Sequence, residues 1–208
     1  MANYKKHQQG AILTGAVVSV AAYSLGMVNL EQSFAVYACG YAGGLAPDLD
    51  HDHSIPSQIV FRFLSVVIPV IIISRHTDIQ QDFSKTLTWF AILAAIIYWP
   101  VRLTFQKITV HRGIFHSIPA IFIYGAIFFL ITGKKSHDLE FQKAMGISAS
   151  LGYLTHLLLD EFSSLNFQGK KIKRSLGTAL EFTKPNKKVT LVAYLLCTVL
   201  MTMVWWQW

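Results

Sequence analysis

Histidine and aspartate recur in three short runs of this chain: Pro47-Asp48-Leu49-Asp50-His51-Asp52-His53, His111-Arg112-Gly113-Ile114-Phe115-His116-Ser117, and His156-Leu157-Leu158-Leu159-Asp160. Each run abuts an apolar stretch. Carboxylates and imidazoles beside membrane-type sequence are costly to bury unless they pair or hold a cation, so their clustering points to a metal centre. Mixed oxygen and nitrogen donors suit zinc, manganese or iron, whereas calcium favours an all-oxygen shell.

His156 and Asp160 stand four apart, so on a helix they share a face and can bind one cation or bridge to a second; a plain Asp160–His156 hydrogen bond is the competing reading of that pair alone. Pro47 should end the helix before it and leave Asp48, Asp50, His51, Asp52 and His53 on an irregular turn. That turn is either a ligand loop or a solvated acidic loop, with Asp52 and His53 the first candidates for bystanders. His111 and His116 are five apart around Gly113, a spacing that fits a turn entering a helix. Arg112 between them could hold an anionic substrate. Ser54 and Ser117 each follow a histidine, yet neither lies in a GxSxG elbow, which favours capping or ligand-orienting roles over nucleophilic ones. His7 is either an exposed tail histidine or a further member of the same site. Lys173 and Arg174, downstream of Asp160, could clamp phosphate oxygens, or could simply face anionic lipid.

The elements that must carry these groups are apolar helices. The 208 residues are 53% hydrophobic and 14% charged, against about a quarter charged in a soluble domain, and mean hydropathy is +0.43. Seven apolar segments can be marked, at residues 10–28, 33–46, 58–74, 86–105, 118–132, 144–163 and 189–207, where a full crossing takes roughly 20 residues. The expected architecture is all-α: a polytopic transmembrane bundle of about six or seven segments, one domain over 1–208, with the second and fifth segments short enough to be tilted or re-entrant. The first segment resembles a signal peptide in charge but lacks a clear cleavage site, and is taken as a retained span. Cys39 and Cys197 sit singly in apolar segments as small buried hydrophobes.

Seven crossings with the N-terminus inside would put all three runs, and His7, on the cytoplasmic face. Basic residues agree with that orientation. Lys5, Lys6, Arg62, Arg102, Lys107, Arg112, Lys170, Lys171, Lys173, Arg174, Lys184, Lys187 and Lys188 fall on or near that side, and Arg75, Lys85, Lys134, Lys135 and Lys143 opposite, the bias of cytoplasmic loops. The formal charge of +7 therefore reflects topology; no nucleic-acid recognition module is visible and no nucleic-acid partner is expected. His76 and His137 fall on the far side and are set aside, and Trp205, Trp206 and Trp208 mark an interfacial belt there.

The order of an early His, then PDxDH, HRGxxHS and GYLxHxxxD resembles the YdjM-like family of predicted membrane-bound metal-dependent hydrolases. The matching residues are His7, Pro47 to His51 with Ser54, His111 to Ser117, and Gly152-Tyr153-Leu154-Thr155-His156 with Asp160. Phe115 departs from the pattern, standing where threonine is common. The resemblance implies a metal-dependent hydrolase of the inner membrane, distantly similar to zinc-dependent phospholipase C enzymes.

Joined to the residues, it gives a concrete expectation: hydrolysis of a phosphoester in a lipid or amphiphile at the cytoplasmic face. The ligand set is His7, Asp48, Asp50, His51, His111, His116, His156 and Asp160, holding zinc foremost, or manganese or iron. Eight candidates exceed one tetrahedral ion, which implies two or more ions or supporting members. Asp50, Arg112 and Asp160 are the catalytic candidates, and Arg112, Lys173 and Arg174 the substrate-binding ones. Bound metal would lower the pKa of water to about 7. An intramembrane metalloprotease lacks its HExxH here. A non-catalytic metal-binding membrane protein, whether structural, sensor or carrier, is the alternative; a transporter should instead hold its ligands near mid-membrane.

Overall fold

A computed structural model describes residues 3–50, 55–73, 82–108, 115–133, 138–166, 171–172, 182 and 187–207. These residues are almost wholly helical: α1 Tyr4–Ser24, α2 Leu30–Leu45, α3 Ile55–Ile73, α4 Phe83–Ile96, α5 Arg102–Ile108, α6 Ile118–Gly133, α7 Leu139–Ser164 and α8 Lys187–Trp205. All seven apolar segments thus form helix, the fourth as α4 and α5 joined by a π-turn at Ile97–Val101. A two-residue antiparallel pair, Leu165↔Ile172 and Asn166↔Lys171, follows α7. The chain divides into two compact units, Met1–Pro47 with Arg112–Trp208, and Asp48–His111.

In the first unit α7 is central, with α1 and α2 packed on it, α6 against it, and α8 on α6. Small residues permit the close approach. On α1 the buried positions His7, Ala11, Gly15, Ser19 and Ala22 repeat at three or four residues, which is one helical stripe. A Cβ on Gly40 of α2 would lie 2.7 Å from Gly15 Cα and 2.7 Å from Ser148 Oγ, so backbone meets backbone, as in small-xxx-small membrane packing. Serine hydroxyls donate across the helices to main-chain carbonyls: Ser19 to Ser33 (2.7 Å), Ser148 to Val36 (2.7 Å) and Ser150 to Ile121 (3.2 Å).

The helix ends are written in local chemistry. Asn3 caps α1 by accepting from the Lys6 N–H, which starts the helix six residues before the apolar segment does. Gly26, at φ 71°, reverses the chain after α1, and its N–H and that of Met27 donate to the Tyr23 and Ala22 carbonyls, the Schellman arrangement that glycine favours. Asn29 and Gln32 cap α2 reciprocally. Asp138 caps α7, accepting from the Phe141 N–H at 3.1 Å, and also accepts from Gln32 Nε2 at 3.1 Å, tying the N-termini of α2 and α7 together.

Among the described residues two helical stretches are long and apolar enough to cross a membrane, Phe83–Phe105 and Lys187–Trp205; Ile55–Val70 and Ile118–Gly133 are shorter apolar ones. The remaining expected spans, α1, α2 and α7, are diluted by the glycine, serine, threonine and histidine on their packed faces. Their outer faces stay apolar, with Leu13, Val17 and Val20 of α1 each more than half exposed.

One local expectation is corrected. The described part of the expected irregular turn, Asp48 to Asp50, is regular: α2 stops at Leu45 and a 3₁₀ helix, Ala46–Asp50, continues the chain, while His51, Asp52 and His53 lie outside the described residues. Pro47 lies in its first turn, where a proline's missing N–H costs nothing.

Candidate metal centre

Four side chains from three segments meet at one end of the first unit. His7 comes from the second turn of α1, His116 from the turn just before α6, and His156 and Asp160 from successive turns of α7. All four are buried, at 2%, 1%, 1% and 4% exposure. Asp160 is the hub. Its Oδ1 lies 3.2 Å from His7 Nε2, and its Oδ2 lies 3.5 Å from His116 Nε2 and 3.9 Å from His156 Nε2. The His7 and His156 rings stack at 3.7 Å and 10°, while His116 stands edge-on to His156 at 5.8 Å.

Each of these positions has a cause in the fold. His7 is buried because it begins the α1 stripe that continues through Ala11 and Gly15, so the tail reading is overturned. His156 Nδ1 lies 2.8 Å from the Gly44 carbonyl on α2. A carbonyl only accepts, so Nδ1 carries the hydrogen, and in the neutral ring Nε2 presents its lone pair toward Asp160. The turn bearing His116 is held from α7: Tyr153, 2% exposed, donates its hydroxyl to the Phe115 carbonyl at 2.6 Å. Ser117 begins α6 with its carbonyl accepting from the Ala120 N–H.

The residues fit a metal ion. Tetrahedral zinc with bonds of about 2.0–2.1 Å sets its ligand atoms roughly 3.3 Å apart, and the 3.2, 3.5 and 3.9 Å separations bracket that value. Ligand atoms of His7, His156 and Asp160 all lie within 4.8 Å of one another. The His156 contact is the most informative. At 3.9 Å it is too long for a hydrogen bond, and a neutral ring's lone pair facing a buried carboxylate is relieved either by a cation between them or by a second proton that makes the ring an imidazolium.

Of the other expected ligands, Asp48 lies in the first turn of the 3₁₀ helix and Asp50 at its end. The Asp50 side chain, His51, His111, Arg112, Lys173 and Arg174 lie outside the described residues. Of two further participants, sequence reading passed over Gly44 and named Tyr153 only within the Gly152–His156 motif, without a role. Gly44 could have been flagged by the Gly40-x-x-x-Gly44 spacing, and Tyr153 by its place three residues before His156.

The model of the YdjM inner membrane protein family matches residues 9–208 of this chain. The chain belongs to the YdjM inner membrane protein family. Family membership accounts for the inner membrane and the apolar helices together, and the expected resemblance is borne out at the level of the family. Searches of the curated proteins and of the solved structures found no match.

In this YdjM family member, Tyr153→Phe removes one hydroxyl and leaves the ring packed against Tyr124, 5.3 Å away. Since groups that orient metal ligands are typically worth 10–100-fold in affinity, the variant should fold normally and, if the cluster holds a divalent ion, bind it about tenfold more weakly. Competition with a fluorescent chelator measures this, and unchanged affinity would remove Tyr153 from the site's support.

Proposed function

We propose that this protein is a membrane-bound metal-dependent hydrolase that cleaves phosphoester bonds of a lipid or amphiphile at the cytoplasmic face of the inner membrane. The observation that carries this reading is the convergence of His7, His116 and His156 on the buried Asp160 carboxylate, with His156 locked in the tautomer that leaves Nε2 for an ion. The full bundle then has six or seven crossings with the N-terminus inside, supported by the basic-residue bias and the apolar outer faces.

A zinc-type ion in this cluster supplies a water acidic enough to ionise near neutral pH and positive charge for phosphate oxygens. The chain's own contribution is positional. Asp160 and the imidazoles hold the ion, and burial keeps bulk water from competing for it. Asp48, Asp50, His51 and His111 complete a ligand set for a second ion in this proposal. Arg112, Lys173 and Arg174 neutralise the substrate phosphate. An interfacial site motivates a lipid substrate, because a freely soluble one needs no membrane domain.

Purified protein reconstituted with zinc, manganese or iron should release phosphorylated headgroup or phosphate from phospholipid vesicles. Chelation should stop the reaction and the same metal should restore it. Metal-loaded protein that leaves every phosphoester intact would overturn the hydrolase reading.

The near-complete burial of all four side chains favours a second reading, a closed structural site in which the ion fixes helix packing. Closed sites keep no exchangeable water whereas catalytic zinc sites keep an open position. Cobalt substitution separates the two: a spectrum indifferent to added anions supports the structural reading, and one shifted by phosphate supports catalysis.

A further inference from the structure

A groove opens on the outside of the first unit where α6, α7 and α8 meet. Its floor is glycine. A Cβ on Gly125 of α6 would collide with the Ser150 hydroxyl of α7, and one on Gly146 of α7 would lie 3.0 Å from the Gly125 carbonyl oxygen. The two backbones therefore touch, and no side chain fills the space above them. Larger residues stand around that floor: Phe122 and Phe129 from α6, Ile147 and Leu151 from α7, Met201 and Val204 from α8. They bound a cavity of about 350 Å³, the size of a small ligand site. Phe122, Ile147, Leu151 and Met201 are 40–49% exposed, so the rim faces outward.

The lining selects for hydrocarbon. Ser150 turns its hydroxyl to the Ile121 carbonyl at 3.2 Å, and the Lys143 ammonium, at one end, is paired with Glu140 at 2.8 Å. A wall whose polar groups are already engaged complements an uncharged occupant and penalises a polar one. Water finds too few partners there, and empty space forfeits dispersion contacts. Around an inner membrane protein, hydrocarbon is supplied by acyl chains or by other helices.

Size and depth decide between those two. Lys143 and Leu151 are eight residues apart on α7, about 12 Å along its axis at 1.5 Å per residue. A helix about 10 Å across occupies roughly 900 Å³ over that length, far more than the groove offers, whereas a single extended alkyl chain is slender enough to lie in it. α8 is long and apolar enough to cross a membrane. Met201 and Val204 lie in its last two turns, next to the strongly exposed Trp205 and Trp206, the residue type that marks a membrane interface. Measured from that interface, about 12 Å is most of one leaflet of a hydrocarbon core about 30 Å thick.

We infer that this groove is a binding site for one acyl chain of a membrane phospholipid, entered from the leaflet at the C-terminal end of α8. No ligand of the metal centre lines it, so it stands or falls apart from the proposed hydrolysis; the choice of leaflet alone rests on α8 crossing the membrane.

The test uses full-length protein purified in detergent and exchanged until free lipid is gone, with retained phospholipid counted against protein by mass spectrometry. Wild type should keep one phospholipid per chain, and saturating dodecane, a chain without a headgroup, should displace it. Ile147→Trp with Met201→Trp, which fills the groove, should cut the retained lipid at least tenfold. Leu13→Trp, on the exposed face of α1, should leave it unchanged. Circular dichroism confirms folding; should the Trp pair fail to fold, Leu151→Phe alone decides by the same count. Equal retention in wild type and the filled variants, or equal loss in Leu13→Trp, would overturn the groove as the site, and lipid that dodecane cannot displace would overturn the acyl chain as the part held. A wild type without retained lipid would overturn the proposal, and one that also sediments as a dimer broken by the same substitutions would give the groove to a second copy of the chain.

Discussion

Asp160→Ala should abolish stoichiometric metal binding. Asp160 contacts three imidazole nitrogens at 3.2–3.9 Å, so its removal takes away the only carboxylate these four residues bring to the ion. Loss of groups that merely orient a ligand costs 10–100-fold in affinity, and loss of this ligand should exceed about 100-fold. Elemental analysis of the purified variant should then find less than a tenth of the wild-type metal, and Asp160→Asn, which keeps the shape without the charge, should behave alike. Thermal unfolding adds a distinction. If an ion stabilises the unit, chelator-treated wild type and Asp160→Ala melt at similar temperatures, and zinc raises only the wild-type value. Should the variant keep its metal, or should chelation leave the wild-type melting temperature unchanged while the mutation lowers it, the cluster is a hydrogen-bonded His–Asp network with no resident ion.

Gly44→Leu should cost both folding and metal although Gly44 contributes no ligand side chain. A Cβ at Gly44 would lie 2.8 Å from Ala11 Cα and press on the Ala11 side chain as well. Backbone cannot rotate aside as a flexible side chain can, so α1 must move away from α2. Ala11 is one helical turn from His7, and the Gly44 carbonyl orients His156; the same displacement therefore spoils two ligands. Overpacking a tight contact typically costs 1–3 kcal/mol, and a leucine here should reach about 3 kcal/mol. Denaturant unfolding with parallel metal analysis checks it. Gly26→Ala, on the turn far from the centre, should lower stability by about 1 kcal/mol with metal affinity unchanged, so full metal occupancy in Gly44→Leu would disprove the mechanical link.

The helices themselves were legible because each pairs an apolar run with polar or glycine boundaries; every expected segment is helical within a few residues. The pairing of His156 with Asp160 followed from the four-residue spacing; of the expected turn from His111 into a helix, only the Phe115–Ser117 end before α6 lies among the described residues. What hydropathy hid was the start of α1. Lys5 and Lys6 are polar enough to push an apolar window to Gly10, yet Asn3 caps the helix and the His7–Ala11–Gly15 stripe buries the histidine. Packing contacts were equally hidden, since a Gly44 carbonyl or a Tyr153 hydroxyl has no sequence signature of the atom it will meet. The 3₁₀ helix at Ala46–Asp50 was missed because Pro47 was read as a stop, whereas proline is also at home in a first helical turn.

The pair α2 and α7 is pinned at both ends and the middle: Gln32 to Asp138 at one end, Val36 to Ser148 along its length, and Gly44 to His156 at the other. Two rods fastened this way have lost their sliding coordinate. A ratchet of one helical turn, about 5.4 Å, would break all three fastenings at once and drive the glycine contacts into side chains. Whatever enters or leaves the His–Asp cluster therefore does so past a stationary wall, and that wall serves as the fixed jaw of a clamp.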